Sequence, residues 1–196
     1  MARTLMIAEF GSNPAKYNWD LDRFCAAAAE AGANIAKVQL WRADVIYPEH
    51  MRADRRPLEF PRDLYSRFVR LCHAHGLVPM ASVFDHDAVE DVATFGGILK
   101  LAASRWRETG LIEHVFEAAR RKSRGVPVLR TVPDLADDQW RTLPRPPHVP
   151  LLTVTDYPAG MPKTLWALAR TLVAFKRAGV AVWGWSSHTA APGTLD

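Results

Sequence analysis

The chain has 196 residues, 48% of them hydrophobic and 23% charged, with a formal net charge of +4. That length suits one domain, and the balance is that of an ordinary globular protein rather than a disordered tail, a collagen-like rod or a disulfide scaffold. No run of 18 apolar residues occurs, and Glu9 interrupts the N-terminal apolar stretch before a signal-peptide core could form, so a cytoplasmic protein with no membrane partner is the expectation.

Of the 25 basic residues 19 are Arg, and they are scattered rather than gathered on one stripe. Nucleic acid is therefore not the expected partner; attraction for small anionic substrates fits better. Cys25 and Cys72 fall on apolar faces of predicted helices and read as reduced packing residues.

Short apolar runs alternate with segments of helical period. Leu5 to Phe10 reads as a buried strand, stopped by Gly11-Ser12-Asn13-Pro14. Asp20 can cap a helix whose apolar face is Leu21, Phe24, Cys25 and Ala28 and which ends at Gly32. Ile35 to Leu40 is a second strand. Pro48 to Pro61 reads as a long loop, and Leu64, Phe68, Leu71 and Cys72 mark a helix ending near Gly76.

Val78 to Phe84 is a third strand, followed by a short helix around Val89 and Val92. Gly97 to Ala103 is a fourth strand, and Leu111 to Ala119 an amphipathic helix. Val126 to Val132 and Val149 to Thr155 are strands five and six, separated by an acidic segment from Leu135 to Trp140 and a proline-rich stretch. Leu165 to Val173 is a helix and Val180 to Trp185 a seventh strand.

This alternation predicts an α/β fold with parallel strands, a TIM-type (β/α) barrel with about seven recognisable strands, incomplete or open against the usual eight. Residues 1–196 are expected to form that single domain. A doubly wound sheet is the alternative, but no glycine-rich phosphate loop follows any strand. An open barrel exposes a sheet edge, so a homo-oligomer or a partner chain that closes it is a further expectation.

Polar residues gather at predicted strand C-termini: Glu9, Gln39, Asp85, Ser104, Thr155 and His188. That end of a barrel carries its chemistry. Only six lysines occur, yet Lys37 and Lys100 fall inside strands two and four. A buried ammonium must bind an anion or pair with a carboxylate; here it either holds an anionic substrate or pairs with Glu9 or Asp85. Asp85-His86-Asp87 reads as a helix-capping turn or as a metal or acid–base group. Cys72-His73-Ala74-His75 has ligand types, but His73 and His75 do not share a helix face.

Several segments resemble the sialic acid synthase family. They are Ile7-Ala8-Glu9-Phe10-Gly11-Ser12-Asn13, Ala36-Lys37-Val38-Gln39, Ala81-Ser82-Val83-Phe84-Asp85, Leu99-Lys100-Leu101-Ala102, Tyr157-Pro158 and Gly184-Trp185-Ser186-Ser187-His188-Thr189, in that order along the chain. The resemblance implies a synthase that condenses phosphoenolpyruvate with an N-acetylated amino sugar, a carbon–carbon bond-forming transferase of nonulosonic acid synthesis. It implies phosphoenolpyruvate contacts for Lys37 and Lys100, a sugar-site role for Glu9, a phosphate-facing hydroxyl at Ser82 and a metal ligand at His188.

Glu9 and Asp85 are thus the candidate catalytic carboxylates. Lys37, Gln39, Ser82, Lys100, Thr131 and Tyr157 are the candidate substrate contacts, and His188 the candidate ligand of a divalent metal, Mn²⁺ or Mg²⁺. The chain departs from the family at several points. Leu152 stands where the second metal histidine belongs, Ser187 replaces an aspartate, Pro14 a histidine and Ala103 a serine, while Arg130-Thr131-Val132-Pro133 blurs a Ser-Thr-Gly motif. A counterpart of the family's C-terminal antifreeze-like domain is not expected. Two other readings follow: a non-catalytic relative that binds or assembles, and a glycoside hydrolase on the same barrel. The second needs two carboxylates about 5–10 Å apart, whereas strand ends four and seven offer Ser104 and Ser187.

Overall fold

The computed structural model describes residues 4–121, 127–133, 149–154, 160–177 and 179–187. Its contacts gather into two compact units, one of Met1–Lys100 with Glu113–Val126, the other of Leu101–Ile112 with Pro127–Asp196.

In the first unit β1 (Ile7–Glu9), β2 (Ile35–Leu40), β3 (Val78–Val83) and β4 (Ile98–Leu101) lie side by side in sequence order. The registers of β1 on β2 and β2 on β3 are parallel, pairing Glu9 with Lys37, Lys37 with Met80 and Gln39 with Ser82. Sequence order with parallel pairing is the winding of a (β/α) barrel; a doubly wound sheet would reverse it.

Parallel strands need crossovers, and helices supply them. After β1 comes α1 (Leu21–Glu30), capped by Asp20, whose side chain accepts from the Arg23 N–H at 3.3 Å. Between β2 and β3 lie α2 (Ala43–Ile46), α3 (Glu49–Arg55) and α4 (Tyr65–Ala74). α5 (His86–Phe95) connects β3 to β4, and α6 (Thr109–Arg121) follows β4.

The stretch from Pro48 to Pro61, expected to be a loop, therefore contains a helix. α3 has no buried residue, so it carries none of the apolar periodicity by which a helix is recognised in sequence.

Alternation along each strand sorts its residues onto two faces. Ala36, Val38 and Leu40 of β2, with Ala81 and Val83 of β3, are completely buried. They form the helix-covered face: α4 and α5 both pack against β3. Cys25 of α1 and Cys72 of α4, both free thiols, are completely buried and touch each other. His75 Nε2, just past the end of α4, lies 2.8 Å from Asp22 Oδ1 of α1. Cys72 and His75 thus serve this packing, and no group of three metal-ligand side chains occurs among the described residues.

The opposite face carries Glu9, Lys37, Gln39, Met80, Ser82 and Lys100. The entry to β4 is set by two glycines. Gly97 has φ +119°, and a Cβ there would lie 2.8 Å from Tyr65 Oη and 3.2 Å from the Pro79 carbonyl oxygen. The buried Tyr65 hydroxyl donates to the Gly96 carbonyl at 2.9 Å, and desolvation raises its pKa well above the ordinary tyrosine value.

The second unit holds β5 (Val128–Pro133), β6 (Val149–Thr153) and β7 (Gly184–Ser186), again parallel and in sequence order, with α7 (Met161–Arg177) between β6 and β7. Thr131 pairs with Leu151, and Leu151 with Gly184. The seventh strand begins at Gly184 rather than at Val180 as expected. The apolar run before it stays exposed, Val182 at 60% and Trp183 at 43%, so it has no core to anchor it. No described helix is long and apolar enough to cross a membrane. The α/β fold is thus of TIM type, with seven strands among the described residues.

Candidate functional site

The polar face of β1–β4 brings together five of the residues singled out by sequence. Glu9 closes β1, and its registered neighbour Lys37 lies mid-strand in β2, so their side chains meet: Lys37 Nζ is 2.7 Å from Glu9 Oε2. The other carboxylate oxygen, Oε1, accepts the Gly11 N–H at 3.0 Å, which fixes the carboxylate against the turn that ends β1. The pair is asymmetric in exposure, the Lys37 side chain at 7% and that of Glu9 at 39%. Solvent therefore reaches the cluster from the glutamate side.

Lys100 lies on β4, two strands from Lys37. Alternate strands of a barrel contribute to one interior layer, and the two lysine side chains come into contact. Lys100 is 6% exposed, and no described carboxylate lies within 4 Å of its amine. Burial above all, and then the neighbouring Lys37 charge, push its pKa down to about 7, with Glu9 pulling the other way. Of the two fates open to a buried lysine, Lys37 has taken the carboxylate and Lys100 has not.

Two amines and one carboxylate thus share a buried face. Ser82 is buried on β3 and Gln39 half-buried on β2, in register with each other two residues nearer the strand C-termini than Lys37. Together they offer a cationic floor and a polar rim, an arrangement that favours a small molecule with more than one negative charge.

Asp85, the other expected catalytic carboxylate, is engaged elsewhere. Its Oδ1 accepts the Ala88 N–H at 2.8 Å, capping α5, and both its oxygens accept from Arg62 Nη2 at 3.0 Å. Arg62 also donates to Asp91 at 2.7 Å. The geometry displays the helix-capping reading of Asp85-His86-Asp87, with Asp85 anchoring the segment after β3. Each carboxylate that a glycoside hydrolase would use, Glu9 or Asp85, is bound to a cation of the protein.

In the second unit Thr131 is buried on β5, and its hydroxyl has no hydrogen-bond partner among the described residues. Its neighbour Arg130 is completely buried, donates to the Trp106 carbonyl, and has its pKa pulled down to about 10 by desolvation. Sequence reasoning passed over Arg130 as part of a blurred motif. The signal that picked out Lys37 and Lys100, a cation inside an apolar strand, is present there as well. Tyr157 and His188 lie outside the described residues. Leu152, which the sequence resemblance sets at the place of a second metal histidine, is buried at 1% exposure, and its hydrocarbon side chain has no lone pair for a metal.

A model of the NeuB family matches residues 24–194. Among solved structures, N-acetylneuraminic acid (sialic acid) synthetase from Leptospira borgpetersenii serovar Hardjo-bovis, in complex with citrate, superposes with a TM-score of 0.78 at 18% identity, over 98% of this chain and 67% of that one. The spore coat polysaccharide biosynthesis protein spsE of Bacillus subtilis gives 0.71 at 22% identity, over 96% of this chain and 54% of its own. The chain spans about half to two thirds of the length of these proteins. None of the curated proteins matches the sequence.

Proposed function

Because this chain belongs to the NeuB family, we propose that it is a synthase of nonulosonic acid type, condensing phosphoenolpyruvate with an N-acetylated amino sugar on the polar face of β1–β4. The observation that carries this reading is the pair of buried amines, Lys37 and Lys100, served by a single carboxylate. A second carboxylate would have neutralised the face. Its omission leaves room for an anion to complete the charge balance.

The phosphate and carboxylate of phosphoenolpyruvate supply that charge. Lys100 takes up a proton as the phosphate arrives, because its two negative charges, beyond the carboxylate that Lys37 can meet, outweigh the desolvation that had driven the proton off. Lys37 then bridges Glu9 and the ligand, and Ser82 offers a hydroxyl to a phosphate oxygen. Glu9, the most solvent-accessible member, stands where an incoming sugar would meet the enol. The contribution of these groups is positioning and electrostatic stabilisation.

In the family a divalent metal polarises the sugar carbonyl. Here His188 would be one ligand, but the donor set does not fit a two-histidine centre, since Leu152 fills the other place; no step is assigned to a metal. That departure also favours a second reading, a relative that binds the anion without turning it over. The discriminating experiment is phosphate release from phosphoenolpyruvate with a panel of N-acetylated amino sugars, with and without added Mn²⁺. Release that needs the sugar and is lost in Lys37→Ala supports the synthase. Anion binding with no release on any sugar supports the second reading and rejects the first.

A further inference from the structure

We propose that Lys100 is a nucleophilic amine that captures the C2 carbonyl of a small 2-oxo acid as an imine. The geometry carries the case. Lys100 is buried on β4, touches the Lys37 side chain, and has no described carboxylate within ion-pair distance, while Lys37 is held by Glu9 at 2.7 Å. One amine of the pair is therefore tied to a carboxylate and the other is left beside it without one. A lysine placed in a dry site beside a second cation is the arrangement that makes an amine available as a nucleophile near neutral pH. Its depressed pKa, about 7, agrees with this.

The ligand class follows from the same groups. A ketone is needed for the amine, and an adjacent carboxylate suits the Lys37 ammonium. Lys100 Nζ gives its lone pair to C2 and the N–C bond forms. The carbonyl oxygen takes a proton from Lys37 and leaves as water with a second proton from the nitrogen, while a solvent proton arriving past Glu9 restores Lys37. Amine, ketone and one proton from solvent yield a protonated imine and one water, with no change in oxidation state. This inference uses the same polar face as the proposed condensation and rests on that face admitting small anions, but not on the condensation itself.

The test incubates the full chain with pyruvate and sodium cyanoborohydride, which reduces the imine to a stable secondary amine. The expected result is a single mass increase of about 72 Da, a reduced pyruvyl adduct, mapping to Lys100, forming faster as pH rises from 6 to 8, and absent from Lys100→Met. Mapping on the native chain keeps the test decisive even if the variant folds poorly. Phosphoenolpyruvate, which has no ketone, should slow the labelling and form no adduct. No adduct, or one confined to exposed lysines such as Lys16 or Lys176, overturns the proposal. Labelling at Lys100 without phosphoenolpyruvate turnover would reject the synthase and leave this inference standing; turnover without labelling would do the reverse.

Discussion

Replacing Lys100 by Met tests the physical state of the buried amine. The folded chain releases the Lys100 proton at about pH 7, against 10.5 for an unperturbed lysine. Between those values the unfolded chain binds more protons than the folded one, so stability rises with pH across that window. The contribution is complete above about 10.5 and is lost as pH falls through about 7, below which this group adds no further slope. The gradient is about 1 kcal/mol per pH unit, or roughly 2–3 kcal/mol between pH 7 and pH 9. Met has nearly the length of Lys and carries no charge, so Lys100→Met removes that gradient while filling the same space. Urea denaturation of both proteins at pH 6, 7, 8 and 9 reads it directly, since only the difference in slope is needed. The native protein should gain stability relative to the variant from pH 7 upwards. Parallel profiles would mean that Lys100 keeps its proton throughout, and the description of the site would be wrong.

Other expectations follow from neighbouring contacts. Glu9→Gln leaves Lys37 buried without its counter-charge; with Glu9 partly solvent-exposed the loss is about 1–2 kcal/mol in chemical denaturation, and an unchanged midpoint would show that the 2.7 Å pair adds nothing. Gly97→Ala forces a methyl group against the Pro79 carbonyl at positive φ, so a loss of about 2–3 kcal/mol is expected, and a stable Ala variant would contradict the close approach of β4 to β3. Asp85→Asn weakens both the cap of α5 and the Arg62 pair, lowering stability by about 2 kcal/mol. At a temperature where that variant remains folded, anion affinity should match the native protein; a specific loss of binding would return Asp85 to the site.

How far the fold was legible depended on whether burial left a pattern. Ile35 to Leu40 is a strand at the expected residues, because four buried apolar positions, Ile35, Ala36, Val38 and Leu40, surround one lysine. α1 starts at Asp20 and ends before Gly32, as its cap chemistry predicts. α3 was missed because it buries nothing, and β7 was placed too early because Val180 to Trp183 is apolar without being covered. The site divides in the same way. A charge inside an apolar strand is visible in one dimension, and it found Lys37 and Lys100. Which of them meets Glu9 is a matter of register, with β1 set beside β2 so that residue 9 faces residue 37. Asp85 looked reactive at a strand end, and its commitment to Arg62, 23 residues earlier, had no local signature.

The central claim is that the β1–β4 face holds two buried amines and one carboxylate, so that an arriving anion brings a proton to Lys100. Titration calorimetry of phosphoenolpyruvate at pH 8, in two buffers of different ionisation enthalpy, addresses it most directly. Saturable binding with uptake of close to one proton per site, abolished in Lys37→Ala, is the predicted result. Absence of heat in both buffers, binding without proton uptake, or equal affinity in the variant would contradict it.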